Sequence, residues 1–515
     1  MTQSPPEAVQ QILHKMNVLA QVSASVTYHS LGRVLIIGSV DQVILVQPRL
    51  KQLQIFVLLT EPCSVATQLK LGKTNTLIEV EKPYSLKGYF GTFSLNNSSQ
   101  IFDLVLDMQV EPLLDITIPP VGYYALERNN QTLTTILDEI SDRVGYFDKP
   151  KFFTLDASVC AHGRNGIQGC HQCLDACATQ AISSDGSTVK IDPYLCQGCG
   201  DCSTVCPSGA INYNYPPRSE TVNRIRSVIK AFRQAGGQTP TLLLHDLGED
   251  ELILPERGNI IPYQLEAIGA VGIDIWLSAL ALGAVQVCIY ITDRHTTLTQ
   301  QVINEQLQLA HEILQGMGYS TDLIIKSNSI NALGELSQPT IIPPAQFAGI
   351  DDKRALIRMA VDHLYQHCLL PIDRIALTGE ALFGRIEIDS QNCTLCFACV
   401  STCPAGALAS GQELPQLKFI EANCIQCGLC QSACPEQVIS LVPEYYYDSI
   451  KARAHVLLNE EEAFHCIQCQ KAFATKSMID TIRIKLQDHP MFQGENINKL
   501  SLCEDCRVIK LFGQN

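Results

Sequence analysis

Charge is scarce in this sequence. Only 17% of its residues are charged, against about a quarter in a typical globular domain. The balance is acidic: 37 basic and 52 acidic side chains leave a formal charge of −15. No run of lysines or arginines occurs, and without a basic stripe no nucleic-acid partner is expected. An acidic chain suits docking to a basic face of a protein partner. The apolar share of 46% is that of globular domains, so long disordered stretches are not expected.

Catalytic signatures are missing as well. There is no HExxH, no GxSxG, no P-loop and no dinucleotide fingerprint, since Gly38 stands alone after the apolar run 34–37. Nothing names a molybdenum, haem or flavin site. The opening residues MTQSPPEAVQQILHKMN lack a cationic start followed by an apolar core. No signal peptide is expected, and the cytoplasm, where thiols stay reduced, is the expected compartment. One stretch, 267–291, is long enough to cross a bilayer and has no Lys or Arg. It contains Asp274 and is interrupted at Gly283 and Gln286. It reads as a buried helix over 272–284 and a buried parallel strand over 285–291, so no membrane span is expected.

Cysteine, by contrast, is abundant. The chain has 23, grouped in CxxC spacings within a long sequence, which points to metal rather than to disulfides. In the second of two cysteine-rich blocks, Cys393-x2-Cys396-x2-Cys399-x3-Cys403-Pro404 precedes Cys424-x2-Cys427-x2-Cys430-x3-Cys434-Pro435. A [4Fe–4S] cube needs four thiolates. CxxCxxC wraps three corners, and in two-cluster ferredoxins the fourth comes from the other motif. One cluster is therefore assigned to Cys393, Cys396, Cys399 and Cys434, the other to Cys403, Cys424, Cys427 and Cys430.

The first block follows the same logic. Cys196-x2-Cys199-x2-Cys202-x3-Cys206-Pro207 is regular, but its partner is Cys160-x9-Cys170-x2-Cys173-x3-Cys177. The nine-residue insert AHGRNGIQG has three glycines that let it double back, and Ala178 stands where proline is usual. The expected sets are Cys160, Cys170, Cys173 and Cys206, and Cys177, Cys196, Cys199 and Cys202. His162 and His171 read as loop residues beside a cluster, since all four thiolates are present. Structural zinc would explain CxxC pairs but not a third cysteine two residues on and a fourth three beyond. Each motif ends in a small residue and an aliphatic, as at Ala181-Ile182, Ala210-Ile211, Ala407-Leu408 and Val438-Ile439, which marks an internal repeat.

The C-terminal pairs Cys466-x2-Cys469 and Cys503-x2-Cys506 lie 33 residues apart, more than usual for a ribbon. Zn²⁺ is expected there, with a single rubredoxin-like iron or another cluster as alternatives. Cys63, Cys288 and Cys368 are given no role.

The fold class expected is multidomain α/β and α+β. Residues 1–150 form an α/β domain with strands near 34–37, 55–59 and 102–106 and a helix near 7–19. The first ferredoxin-like dicluster module spans 151–217 and ends in a Tyr-Pro-Pro linker. Residues 218–385 form an α/β domain with a parallel sheet, from strands at 241–244, 285–291 and 320–325 and helices at 272–284 and 300–316. The second dicluster module spans 386–443, and 444–515 is a zinc-ribbon-like tail.

The strings CAHGRNGIQGCHQCLDAC, CQGCGDCSTVCPSGAINY, VGIDIWLSALALGA, CTLCFACVSTCPAGAL, FIEANCIQCGLCQSACPE and LCEDCRV, with FDLVLDMQVEPLLDITIPPVGYY, together resemble one bacterial family. It comprises the 4Fe-4S dicluster-domain, polyferredoxin-like proteins often found beside formate dehydrogenases and their accessory factors. The resemblance covers nearly the whole chain. It implies two dicluster modules, a paired-CxxC tail and a link to formate oxidation. Departures are Ala178, the sequence GEALFGR with Glu380 where a Gly-Ala-Pro turn is usual, and CQKAFAT; none removes a ligand.

The leading expectation is a non-catalytic electron relay carrying four [4Fe–4S] clusters and one Zn²⁺, with a redox protein, such as a formate dehydrogenase, as partner. A maturation factor for such an enzyme, or an oxidoreductase with an unrecognised flavin in 218–385, are the alternatives.

Overall fold

The computed structural model describes residues 9, 24–62, 64, 76–80, 82–126, 132–248, 258–330, 340–368, 370–379, 381–411 and 414–512. The helix expected near 7–19 falls, except for Val9, outside these residues, as do Cys63 and Glu380.

The N-terminal region is built on a five-stranded parallel sheet. Its spatial order is Thr76–Leu77, Gln54–Leu59, Arg33–Gly38, Leu104–Asp107, Tyr123–Ala125. Side chains alternate across a strand, and both faces here are apolar. Val34 and Ile36 pack with the helices Val40–Val46 and Leu133–Asp142, while Leu35 and Ile37 pack with the small sheet holding Phe93 and Phe102. Burial on both sides is why these strands read as unbroken apolar runs. Buried Asp103 ties the start of the central strand, accepting from the backbone N–H of Leu31 at 2.8 Å and of Arg33 at 2.9 Å.

The middle region holds a second parallel sheet, ordered Ile260–Gln264, Thr241–His245, Gln286–Tyr290, Ile324–Ser327. The last strand starts later than expected, because residues 321–323 form a 3-10 turn. Leu242, Leu244, Val287 and Ile289 face the helices Arg218–Gln234, Ile273–Ala281, Thr297–Gly316 and Lys353–Gln366. Every residue of Ile273–Ala281 is buried, which explains a helix with no polar face. Its Asp274 is compensated by Arg218, Nε to Oδ2 2.5 Å. Among the described residues no helix is long and apolar enough to cross a membrane. The expected Tyr-Pro-Pro linker is no free tether: Pro217 is the N-cap of Arg218–Gln234.

In the cysteine-rich blocks the internal repeat becomes four strands, each starting on the aliphatic that follows a motif. These are Ile182–Asp185, Ile211–Tyr213, Leu408–Ser410 and Ile439–Tyr446. Each pairs antiparallel with a strand outside its own motif: 188–191, 153–155, 416–419 and 384–388 respectively. The strand Ile439–Tyr446 runs past residue 443, and Val456–Glu460 pairs with Gln416–Phe419. Residues 444–460 are thus knitted into the second block rather than into the tail.

Candidate metal centres

The motif backbone repeats as closely as the spacing. In three motifs the residues on either side of the middle cysteine are left-handed: Gly198 and Gly200, Leu395 and Phe397, Gln426 and Gly428. Three residues after each fourth cysteine comes another: Gln180, Gly209, Gly406 and Gln437. Non-glycine residues hold such a conformation at a cost of about 1 kcal/mol or more each. Successive turns of this kind aim N–H groups at one point and create an anion-binding concavity. The N–H of Ala181 donates to Cys177 Sγ at 3.2 Å and that of Ala407 to Cys403 Sγ at 3.3 Å, at equivalent places in the repeat.

Electrostatics reveal which thiols are neighbours. Cys173 is pushed up by burial and then by Cys206, Cys170 and Cys160. Cys202 is pushed up by burial and then by Cys199, Cys196 and Cys177, with Cys173 after them. Cys399 is pushed up in the same way by Cys396, Cys393 and Cys434, and Cys430 by Cys424, Cys427 and Cys403. Every set borrows one cysteine from the companion motif. Cys177, Cys196, Cys199 and Cys202 line one hollow, and Cys393, Cys396, Cys399 and Cys434 another. Burial raises Cys170, Cys199 and Cys399 to about 12. Thiols held that high stay protonated at neutral pH unless a metal displaces the proton. The donor set and backbone cradle therefore fit iron–sulfur clusters.

The sets also adjoin one another. Cys173 and Cys202 share one apolar cluster, Cys399 and Cys430 a second, and Cys170 and Cys427 a third across the two blocks. The four sets form a row. Its outer N-terminal member is 177/196/199/202, followed by 160/170/173/206, then 403/424/427/430, and finally 393/396/399/434.

The nine-residue insert builds the central joint of this row. Residues 163–164 pair with 167–168 around Asn165 (φ 53°) and Gly166 (φ 78°), a two-residue hairpin of the kind Asn-Gly favours. The hairpin returns the chain so that Ile167 and Cys170 meet Ala161, Ile425, Leu429 and Cys427 in one apolar cluster. Gly169 admits this approach: a Cβ there would stand 2.7 Å from Leu429 Cγ. His162 holds the hairpin, one ring nitrogen 3.0 Å from Cys170 O and the other 2.7 Å from Ser184 Oγ. His171 is exposed and pairs with Asp175.

Each outer set is covered by a flanking region. At the N-terminal end, Gln197 Nε2 donates to Pro119 O at 2.5 Å, and Ala178 O, at the position where proline is usual, accepts from Ile118 N at 3.0 Å. Thr299 Oγ1 donates to Asp201 Oδ2 at 2.8 Å, binding the same loop to the middle region. At the other end Thr475 Oγ1 donates to Thr394 O at 2.9 Å.

The tail site is of another kind. Among the described residues, only Cys466, Cys469, Cys503 and Cys506 bring ligand atoms of three or more such side chains within 4.8 Å of one another. Cys469 Sγ and Cys503 Sγ are 3.6 Å apart. Tetrahedral zinc with bonds of about 2.3 Å would separate its sulfurs by about 3.8 Å. Burial opposes ionisation of Cys466, but the N–H groups of Cys503, Cys469 and Gln468 prevail and bring it down to about 6. The geometry is not that of a ribbon with two hairpins. The first pair follows the strand Ala463–His465, but the second sits at the start of the helix Glu504–Phe512. Of the leftover cysteines, Cys288 is buried in its strand and Cys368 is half-buried after the helix Lys353–Gln366.

Sequence reasoning missed the cations beside these sets. Lys149, Lys353 and Arg354 donate to the carbonyls of Cys196, Cys206 and Cys424 at 2.6, 3.1 and 2.7 Å. No local pattern distinguishes them from surface charges.

Comparison with known families agrees with this geometry. A family profile described as 4Fe-4S dicluster domain matches residues 168–210 and 423–472, and a second profile of the same description matches 385–435. The first match begins after Cys160 and most of the insert. The chain thus carries 4Fe–4S dicluster domains, which point to an iron–sulfur electron-transfer role. No curated protein matches the sequence.

Proposed function

We propose that this chain is a non-catalytic electron carrier holding four [4Fe–4S] clusters in a row, with Zn²⁺ in the tail. The observation that supports it most is the interleaving of four thiol sets, each borrowing its fourth cysteine, on a backbone repeated down to its left-handed residues. Each cluster would supply one-electron chemistry. The protein's part is to hold the thiolates, aim N–H groups at sulfur and keep water out, which are the terms that set cluster potentials. The flanking regions cover the two ends of the row and are where a donor and an acceptor would dock. The partner favoured is a redox enzyme such as a formate dehydrogenase, in the cytoplasm. Anaerobic titration with a one-electron reductant should take up about four electrons per chain, with bleaching reversed on reoxidation. Adding a formate dehydrogenase and formate should bleach the oxidised protein. No reversible uptake with iron retained would overturn the carrier reading, and uptake from the reductant but not from the enzyme would remove only the named partner.

A further inference from the structure

The two inner thiol sets share one structural support. Lys353 and Arg354 are consecutive residues in the first turn of the helix Lys353–Gln366. Lys353 is 1% exposed, and its Nζ donates to Thr204 O, to Cys206 O at 3.1 Å and to Ser203 O at 3.2 Å. Arg354 turns the other way. One guanidinium nitrogen donates to Cys424 O at 2.7 Å and Ala422 O at 3.0 Å, the other to Leu382 O at 2.6 Å. Two adjacent cations therefore hold one backbone carbonyl of each inner set, and Cys170 and Cys427 of those two sets share one apolar cluster.

The charge balance differs at the ends of the row. Near Lys353 the carboxylate of Asp274 is already paired with Arg218. Near Arg354 stands Asp352, whose side chain caps the helix through Ala355 N at 2.9 Å. At the outer N-terminal set, Lys149 sits on Cys196 O, but Asp192 and Asp201 adjoin the same cysteines. At the outer C-terminal set the carbonyl of Cys393 accepts from the neutral amide of Asn459, at 3.4 Å. A buried cation stabilises the more negative, reduced state of a centre beside it, and burial strengthens that effect.

We propose that Lys353 and Arg354 are positioning residues that lock the two modules together and hold the two inner centres at less negative potentials than the outer two. Electrons arriving at either end then collect at the joint before the ends fill. This rests on the four-cluster reading above.

The test is a potentiometric titration of the anaerobic full-length chain, followed by electron paramagnetic resonance, for wild type, R354Q, R354K and K149Q. R354Q keeps a donor amide and loses the charge, whereas R354K keeps the charge. The expected result is four midpoints, of which R354Q shifts one of the two least negative in the negative direction. R354K leaves that midpoint near its wild-type value, and K149Q shifts one of the two most negative. Iron per chain stays at the wild-type level throughout. R354Q with full iron and unmoved midpoints would overturn the proposal. So would a K149Q shift in the least negative midpoint, and that arm stands even if R354Q fails to fold. Wild-type protein without four reducible centres would instead defeat the four-cluster reading.

Discussion

One module has nine residues where the other has two. In the second, Cys393 and Cys396 are joined by Thr394 and Leu395, and all four line one hollow with Cys399 and Cys434. In the first, Cys160 and Cys170 are joined by a hairpin that leaves the loop and packs against Ile425 and Leu429 of the other module. The regular module shows what a cluster loop needs. The irregular one shows what else the same loop can do once its ligands are provided for: it becomes the contact surface that brings two modules into one row. Leu429 teaches the same lesson from the opposite side. It follows Gly428 just as Asp201 follows Gly200, and both are fully buried. Leu429 faces the first module across apolar contacts, whereas Asp201 faces Thr299 and Gly269 of the middle region. The same position in the repeated loop thus faces a different neighbour in each module.

This comparison can be broken most severely by erasing the difference. Replacing residues 161–169 with two residues, so that both modules carry the regular spacing, removes Ile167 and Gly169 from the joint while keeping every cysteine. Iron per chain should be unchanged, while anaerobic chemical unfolding should lose about 5 kcal/mol and separate into two transitions. A single unshifted transition would show that the insert does not join the modules.

Leu429→Ala tests the other side. The side chain is 0% exposed, and truncating a buried leucine costs about 2–5 kcal/mol. A loss below that range, measured from the same unfolding midpoint, would mean that the joint closes over the cavity and is softer than described.

Two glycines within the insert should behave differently. Gly169→Ala places a Cβ 2.5 Å from Ala161 O and 2.7 Å from Leu429 Cγ, which costs about 1–3 kcal/mol through displaced backbone. Gly166→Ala meets open space at φ 78°, so only the left-handed penalty of about 1 kcal/mol applies. Equal losses would contradict the docking role of Gly169. At the tail, Thr475→Val removes both the hydrogen bond to Thr394 O and the cap on Met478 N that starts the helix Lys476–Leu486, and costs about 2 kcal/mol. That variant should leave the first module's spectra unchanged.

Much of the site could be read from the sequence because its ligands are local. Three of the four thiols lie within seven residues of one another in every set but that of the insert, and the apolar runs at 34–37 and 241–244 are strands because both faces of each sheet are covered. What could not be read depends on long-range contacts. Lys353 reaches Cys206 across 147 positions, and nothing around it marks a buried lysine. The helix Arg218–Gln234 lies outside the expected elements, although its buried Val222, Ile225, Ile229 and Phe232 recur at helical spacing. The strand Ile260–Gln264 contains Pro262, a residue that sequence reasoning admits only at a sheet edge, and it does lie at the edge. The tail was expected to be zinc-ribbon-like because two CxxC pairs suit tetrahedral zinc. The residues after Cys503 instead continue as helix, which a spacing rule does not detect.

The most direct test of the account is the content of iron, acid-labile sulfide and zinc per chain in anaerobically purified protein. Four interleaved sets and one tetrahedral tail site predict about sixteen iron, about sixteen sulfide and about one zinc. About eight iron with additional zinc would contradict it, leaving one module as a structural zinc scaffold and the row reduced to a single pair.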